Sequence, residues 1–253
     1  MKNEYLRSLD KLEFVVTNAC TGRCKHCSEG EHKSCGVSID PKIAADAVRK
    51  IAAVYDIKTV MTFGGEPLLY ADTVYEIMRT AKELGIPKRQ VITNGYFSKS
   101  REVIRNVAEE LAASGVNDLL LSVDAFHQET IPLDTVRAFA TELTACGVPT
   151  RLQPAWLISG EAENPYNIRT AEILSSFSEL NIPIGEGNVI FPEGNALRYL
   201  SEYFTEVSVE NPYVEDPKDI RCLSFSADGG LLNGNIYESD VMDILRAYAP
   251  EEK

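Results

Sequence analysis

The sequence predicts an α/β fold: a partial, open (βα)6 barrel of the TIM type, with a short C-terminal hairpin–helix extension. Three observations carry that reading. Apolar, strand-like runs recur at residues 12–17, 59–63, 90–93, 119–123, 151–157 and 182–190. Segments with apolar residues at helical spacing alternate with them at roughly 30 residues per unit, which implies parallel strands and right-handed crossovers. Six strand runs are too few for a closed eight-fold barrel; a doubly wound open sheet is the competing arrangement. Either way, ligands belong at the C-terminal ends of the strands.

Each helix is justified by its own stripe. Ile43, Ala44, Ala47, Val48, Ile51, Ala52 and Tyr55 form the first, with Asp40 as N-cap and Pro41 at the first helical position, where its missing N–H costs nothing. The next three run through Val74–Leu84, Val103–Leu111 and Val136–Cys146, and each is followed by a glycine suited to a left-handed helix end: Gly85, Gly115 and Gly147. Ile168, Ala171, Leu174, Phe177 and Leu180 supply a fifth stripe. From Ala196 onward the rhythm breaks. Residues 222–235 read as a hairpin around Asp228-Gly229-Gly230, and a short helix follows at 241–248. The expected organisation is a core domain at 1–195 and an extension covering the barrel at 196–253, since so short a segment makes a marginal core alone.

Composition narrows the function. The chain has 253 residues, 44% of them hydrophobic and 25% charged, as in ordinary globular proteins. Twenty-five Lys+Arg against 38 Asp+Glu give a net charge of −13, which opposes phosphate backbones and argues against a nucleic acid partner. No apolar run reaches the ~20 residues of a membrane span. The N-terminal MKNEYLRSLDKLEF lacks the apolar core of a signal peptide, so the expected compartment is the cytoplasm. There, three cysteines within eight residues point to metal or cluster ligation rather than disulfides. The other three, Cys35, Cys146 and Cys222, are expected as buried reduced thiols, and Cys146 falls on a helical stripe and so belongs in the core.

The first strand runs into CTGRCKHC, placing Cys20, Cys24 and Cys27 at a strand's C-terminal end. Three thiolates on a cubane [4Fe–4S] cluster leave one iron open to an exogenous ligand. A purely electron-carrying cluster wants a fourth ligand, for which Cys35 is nearest. Zinc on the three cysteines plus His26 is a further alternative.

This CxxxCxxC spacing resembles the hallmark of the radical S-adenosylmethionine (SAM) superfamily. The resemblance extends to FGGEP at 63–67, TNG at 93–95 and SVD at 122–124, at the ends of three successive strands, and it covers roughly residues 12–190. It implies an enzyme in which a [4Fe–4S] cluster cleaves SAM reductively and the resulting 5′-deoxyadenosyl radical takes a substrate hydrogen. It implies an electron donor such as flavodoxin or ferredoxin, and a peptide or small-metabolite substrate. By the same resemblance His26 packs beside the adenine. Gly64 and Gly65 admit the ligand closely, and Glu66 accepts from the SAM ammonium. Ser122 and Arg151 meet the SAM carboxylate, Asp124 takes the ribose hydroxyls, and Asn94 orients the nucleoside. Tyr96, His127, Gln153, Trp156 and Asn188 are substrate-facing candidates. Glycyl-radical-enzyme activases share the GGEPLL run but carry a DxK pattern where SVDAFH stands here. A non-catalytic iron–sulfur protein for electron transfer or redox sensing is the alternative from another class.

The tail gives a second resemblance. FPEGNA at 191–196, Cys222, ADGG and GNIYE are similar to the SPASM-type tail of peptide-modifying members. Such tails bind auxiliary clusters through several cysteines; here Cys222 stands alone, and the expectation is a cover without a second cluster.

Overall fold

The computed structural model describes residues 2–33, 35–205 and 209–251. In chain order the elements are β1 (Lys11–Thr17), α1 (Pro41–Ala52), β2 (Thr59–Gly64), α2 (Ala71–Glu83), β3 (Lys88–Thr93), α3 (Arg101–Ser114), β4 (Asp118–Ser122), α4 (Ala125–Gln128), α5 (Leu133–Ala145), β5 (Thr150–Gln153) and β6 (Ala155–Leu157). There follow α6 (Pro165–Ser175), β7 (Asn188–Ile190), α7 (Gly194–Tyr199), β8 (Cys222–Phe225), β9 (Gly230–Leu231), β10 (Gly234–Asn235) and α8 (Val241–Ala247).

The main sheet has six strands in the order β5-β4-β3-β2-β1-β8, all of them parallel. Successive β-residues point to opposite faces, and β1 shows it. Leu12, Phe14 and Val16 are fully buried, in one apolar core with the stripes of α1 and α2. Lys11 and Glu13 point the other way, into the barrel interior, where they line a cavity. The first helix starts as its sequence requires: the Asp40 side chain accepts from the backbone N–H groups of Lys42 and Ile43. Gly85, Gly115 and Gly147 all take positive φ at helix ends.

Four local expectations need correction. The run at 151–157 is two strands, because Pro154 has no N–H to continue a ladder. Of the run at 182–190 only 188–190 is strand, and it pairs with β6 in a separate two-stranded sheet. The sixth barrel strand is instead β8, parallel to β1, with Phe225 stacked on Phe14 at 4.4 Å between ring centroids. The hairpin is accordingly shorter than expected, formed by β9 and β10 alone.

Two side-chain placements differ as well. Cys146 caps the end of α5 half-buried rather than in the core. On α6 the inward face carries Asn167, Thr170, Ile173 and Leu174, while Ile168 is exposed. The polar residues turn in because the neighbouring loop needs partners. Asn167 accepts from Leu157 N–H and donates to the carbonyls of Ser159 and Ala162, and the Thr170 hydroxyl accepts from Ala125 N–H.

Candidate active site at the strand ends

A cavity of about 730 Å³ opens at the C-terminal ends of the strands. Cys20, Cys24, His26, Cys27, Gly64, Gly65, Asn94, Ser122 and Asp124 all line it. Residues separated by about a hundred positions in sequence therefore meet around one cavity, as parallel strand ends require. Glu66 and Arg151 do not line it.

The cysteine loop leaves β1 and is held by backbone. Gly65 N–H donates to the Thr17 carbonyl and Glu66 N–H to the Ala19 carbonyl, at 2.8 and 2.7 Å. A Cβ on Gly65 would stand 2.1 Å from the Ala19 oxygen. The glycine pair thus admits the chain's own backbone at the root of the loop, besides facing the cavity. Donors aim at the sulfurs: Gly22 N–H and the Asn94 amide at Cys20, 3.3 and 3.5 Å away. His32 Nε2 lies 3.2 Å from Cys27 Sγ, its Nδ1 donating to the Asn18 carbonyl. Burial pushes all three thiols up, Cys20 to about 11.

Glu66 is fully buried, and both its oxygens are engaged. Oε1 accepts from Leu68 N–H and the Thr93 hydroxyl, and Oε2 from Asn94 N–H. It ties the end of β2 to the end of β3 and so positions Asn94; the geometry gives no support to a direct contact with an ammonium. Burial raises its pKa to about 7, against those three hydrogen bonds. Arg151 sits on the second residue of β5, where its guanidinium grips Asp118 at 2.8–3.0 Å. It therefore faces another charge inside the barrel, not a ligand at the strand ends.

Asp124 supports a neighbour. Its Oδ2 is 2.7 Å from His127 Nδ1 and accepts from Ala155 N–H, while Oδ1 accepts from His127 N–H. An ionised carboxylate only accepts, so Nδ1 carries the proton and, in the neutral ring, Nε2 is left as an acceptor. His127, on α4, lines the cavity. Its ring stands 4.7 Å from that of His26, which also packs on Phe126. Burial first, then the His127 charge, lowers His26 to about 4, so it is neutral at pH 7; its Nδ1 is buried without a partner.

The Asp124–His127 pair predicts a pH effect. Burial alone would raise the Asp124 pKa, but His127 outweighs it and holds it at about 2. A depressed carboxyl stabilises the fold above its unfolded value and loses that contribution as pH falls through the folded one. Acid unfolding of the cluster-free protein should therefore show a loss of about 2 kcal/mol between about pH 4 and pH 2. Asp124→Asn should flatten that window, as read from urea midpoints at stepped pH; an unchanged slope would mean the pair is not formed.

The radical SAM superfamily family model matches residues 14–142, just over half of the 253-residue chain. The chain belongs to the radical SAM superfamily. Among curated relatives, a probable GTP 3′,8-cyclase of Saccharolobus islandicus is 28% identical over 264 residues, covering 98% of this chain and 78% of that one. One from Sulfolobus acidocaldarius is 34% identical over 128 residues, covering 49% of this chain and 38% of its own. Of solved structures, Streptococcus suis SuiB bound to S-adenosylmethionine aligns with a TM-score of 0.60 at 16% identity. The alignment covers 94% of this chain but only 65% of SuiB. Native anSMEcpe with bound AdoMet gives 0.60 at 14%, over 94% and 80% of the two chains. At such identities the likeness is one of fold.

As a radical SAM enzyme the protein works with a [4Fe–4S] cluster and SAM. Its donor set fits a cluster. Three soft thiols share one loop with N–H groups aimed at sulfur, a feature that tunes iron–sulfur sites. A single zinc ion on the three cysteines needs their sulfurs gathered around one point. The one set of ligand atoms within 4.8 Å of one another, among the described residues, is Cys24, His26 and His127, which contains a single thiol of the motif. The non-catalytic alternative is not favoured, and Cys35, the fourth ligand it needs, is exposed.

One residue of this radical SAM site was marked in the sequence only by its place in the tail's FPEGNA run. Asn195, at the start of α7, donates from its side chain to the carbonyls of Cys24 and Gly30, and from its backbone to that of Cys27. It clamps the cysteine loop from 165 or more positions away.

Proposed function

We propose that this radical SAM enzyme holds its cluster on Cys20, Cys24 and Cys27 and directs hydrogen abstraction at a small metabolite or peptide that enters the same cavity. The observation that carries it is the meeting of the three thiols with His26, Gly64, Gly65, Asn94 and Ser122 around one cavity. When bound, the reduced cluster and SAM supply the hydrogen-atom abstraction, and the protein supplies binding, orientation and exclusion of solvent. Asn94, fixed by Glu66, lies beside Cys20 where it can orient a ligand of the cluster. Ser122, 8% exposed at the end of β4, faces the cavity as a hydrogen-bonding group for the SAM carboxylate. His127, held by Asp124, offers an acceptor nitrogen to whatever lies over Cys24.

Anaerobic reconstitution followed by a dithionite-driven assay for 5′-deoxyadenosine tests this reading. Product should form and should require all three cysteines; its absence from cluster-replete protein would sink the proposal. An external reductant such as flavodoxin or ferredoxin would take the place of dithionite in the cell. A GTP-directed cyclisation, as in the name of the archaeal relatives, is the second reading, favoured by identity running across 98% of this chain.

Iron content bears on the tail. Cys222 opens β8 beside Lys11, with Glu13 near enough to raise its pKa together with burial. It lies at the opposite end of β1 from the cysteine loop, with no other cysteine near it in sequence. Full reconstitution should give about four irons per chain, unchanged in Cys222→Ala. A content near eight that halves in that variant would restore an auxiliary cluster.

A further inference from the structure

The cavity does not end at the strand ends. It continues through the barrel interior to Lys11 and Glu13 on β1, Gln90 on β3 and Cys222 on β8. Between the two ends lies an apolar belt of Met61, Phe63, Ile92 and Leu120, the inward residues of β2, β3 and β4. The far end is polar and charged. Lys11 and Glu13, two positions apart and so on one face of β1, form an ion pair with side chains 33% and 17% exposed.

The balance of charge on the wall is lopsided. Among the described residues, six carboxylates line the cavity (Asp10, Glu13, Glu29, Asp124, Glu193 and Glu215) against two cationic side chains, Lys11 and Arg221. Lys11 is already matched by Glu13. Recognition of a polyphosphate calls for clustered Arg and Lys or for metal ions, and this wall repels it. A matched pair of opposite charges is the complement of a zwitterion. A partly exposed ion pair is worth little by itself, so it yields to a ligand that satisfies both of its members.

We propose that the far half of the cavity binds the head group of a zwitterionic, amino-acid-type substrate, with its ammonium on Glu13, its carboxylate on Lys11 and its carbon chain along the apolar belt towards the cluster. This rests on the function proposed above and names the substrate class of that site. Glu13 lies four residues below the end of β1, about 13 Å at a strand's rise per residue. The substrate must therefore be extended and carry both charges at one end, as an amino acid with a long side chain does.

Equilibrium binding to the cluster-reconstituted, SAM-loaded enzyme tests this under anaerobic conditions. The probes are L-lysine, L-leucine and the tripeptide alanyl-leucyl-alanine, each beside its N-acetylated amide, and GTP with magnesium. At least one zwitterion should bind saturably, and its blocked form and the Glu13→Gln enzyme should each weaken binding tenfold or more. The tripeptide binding tighter than either amino acid overturns the inference, because the two ends of an extended peptide cannot both reach one ion pair. Saturable binding by none of the zwitterions, binding indifferent to Glu13→Gln, or GTP binding tighter than all of them overturns the inference. SAM cleavage without added substrate is measured on the same preparation. If cleavage occurs and the zwitterions fail, only this inference falls; if there is no cleavage, the proposed function falls and takes the inference with it.

Discussion

Replacing any one of Cys20, Cys24 or Cys27 by alanine should abolish the brown iron–sulfur absorbance and the iron content of anaerobically purified protein. With three thiolates on four irons there is no redundancy: losing one leaves two irons without a protein ligand. No spare thiol is at hand, because Cys35 is exposed and Cys222 opens the far edge strand. The deprotonated ligand is also costly to hold empty, as burial keeps each thiol protonated until iron replaces the proton. Cys146→Ala, changed at the end of α5, should keep full iron and serves as the control. Retention of the cluster in all three single variants would show that the ligands have been misassigned.

How far the sequence could be read depended on how local each cause was. The pattern on β1 to β4 and on α1, α2, α3 and α5 was legible because alternation, caps and helix-ending glycines are written within a few residues. The Pro154 break is equally local, since a missing N–H needs no tertiary knowledge, yet the apolar run at 151–157 hid it. The strand at Cys222–Phe225 was not legible as part of the barrel. Four residues give no sign that their partner is β1, which begins 211 positions earlier, because parallel pairing leaves no turn to announce it.

The same distinction runs through the site. Motif residues at successive strand ends could be gathered from topology alone, and the cavity wall does gather most of them. What each carboxylate binds was set by neighbours that only folding brings close. Glu66 is held by Thr93 and Asn94, Asp124 by Ala155 as well as His127, and Arg151 by Asp118. A charged residue's motif therefore fixed its location far better than its partner.

The clamp formed by Gly194 and Asn195 should prove as necessary to the cluster as the cysteines are close to it. Asn195 is 6% exposed, and its side-chain amide serves the carbonyls of Cys24 and Gly30, both at 3.1 Å. Asn195→Leu leaves those carbonyls without a donor, at about 1–3 kcal/mol for each buried group. Asn195→Asp should do no better, because an ionised carboxylate has no proton to offer two carbonyls. Gly194 adds a steric demand. At φ +53 a Cβ would stand 2.2 Å from the Ser28 oxygen and 2.7 Å from that of Cys27, so Gly194→Ala must push the loop aside. We expect both positions to cost most of the bound iron, or to speed cluster loss to a chelator at least tenfold, while circular dichroism remains native. Arg198→Ala is the matched control on α7: its partner Glu31 is exposed, and such surface pairs contribute ~0–1 kcal/mol. A chelator rate in Asn195→Leu equal to that of Arg198→Ala would show that the loop holds its shape without the clamp.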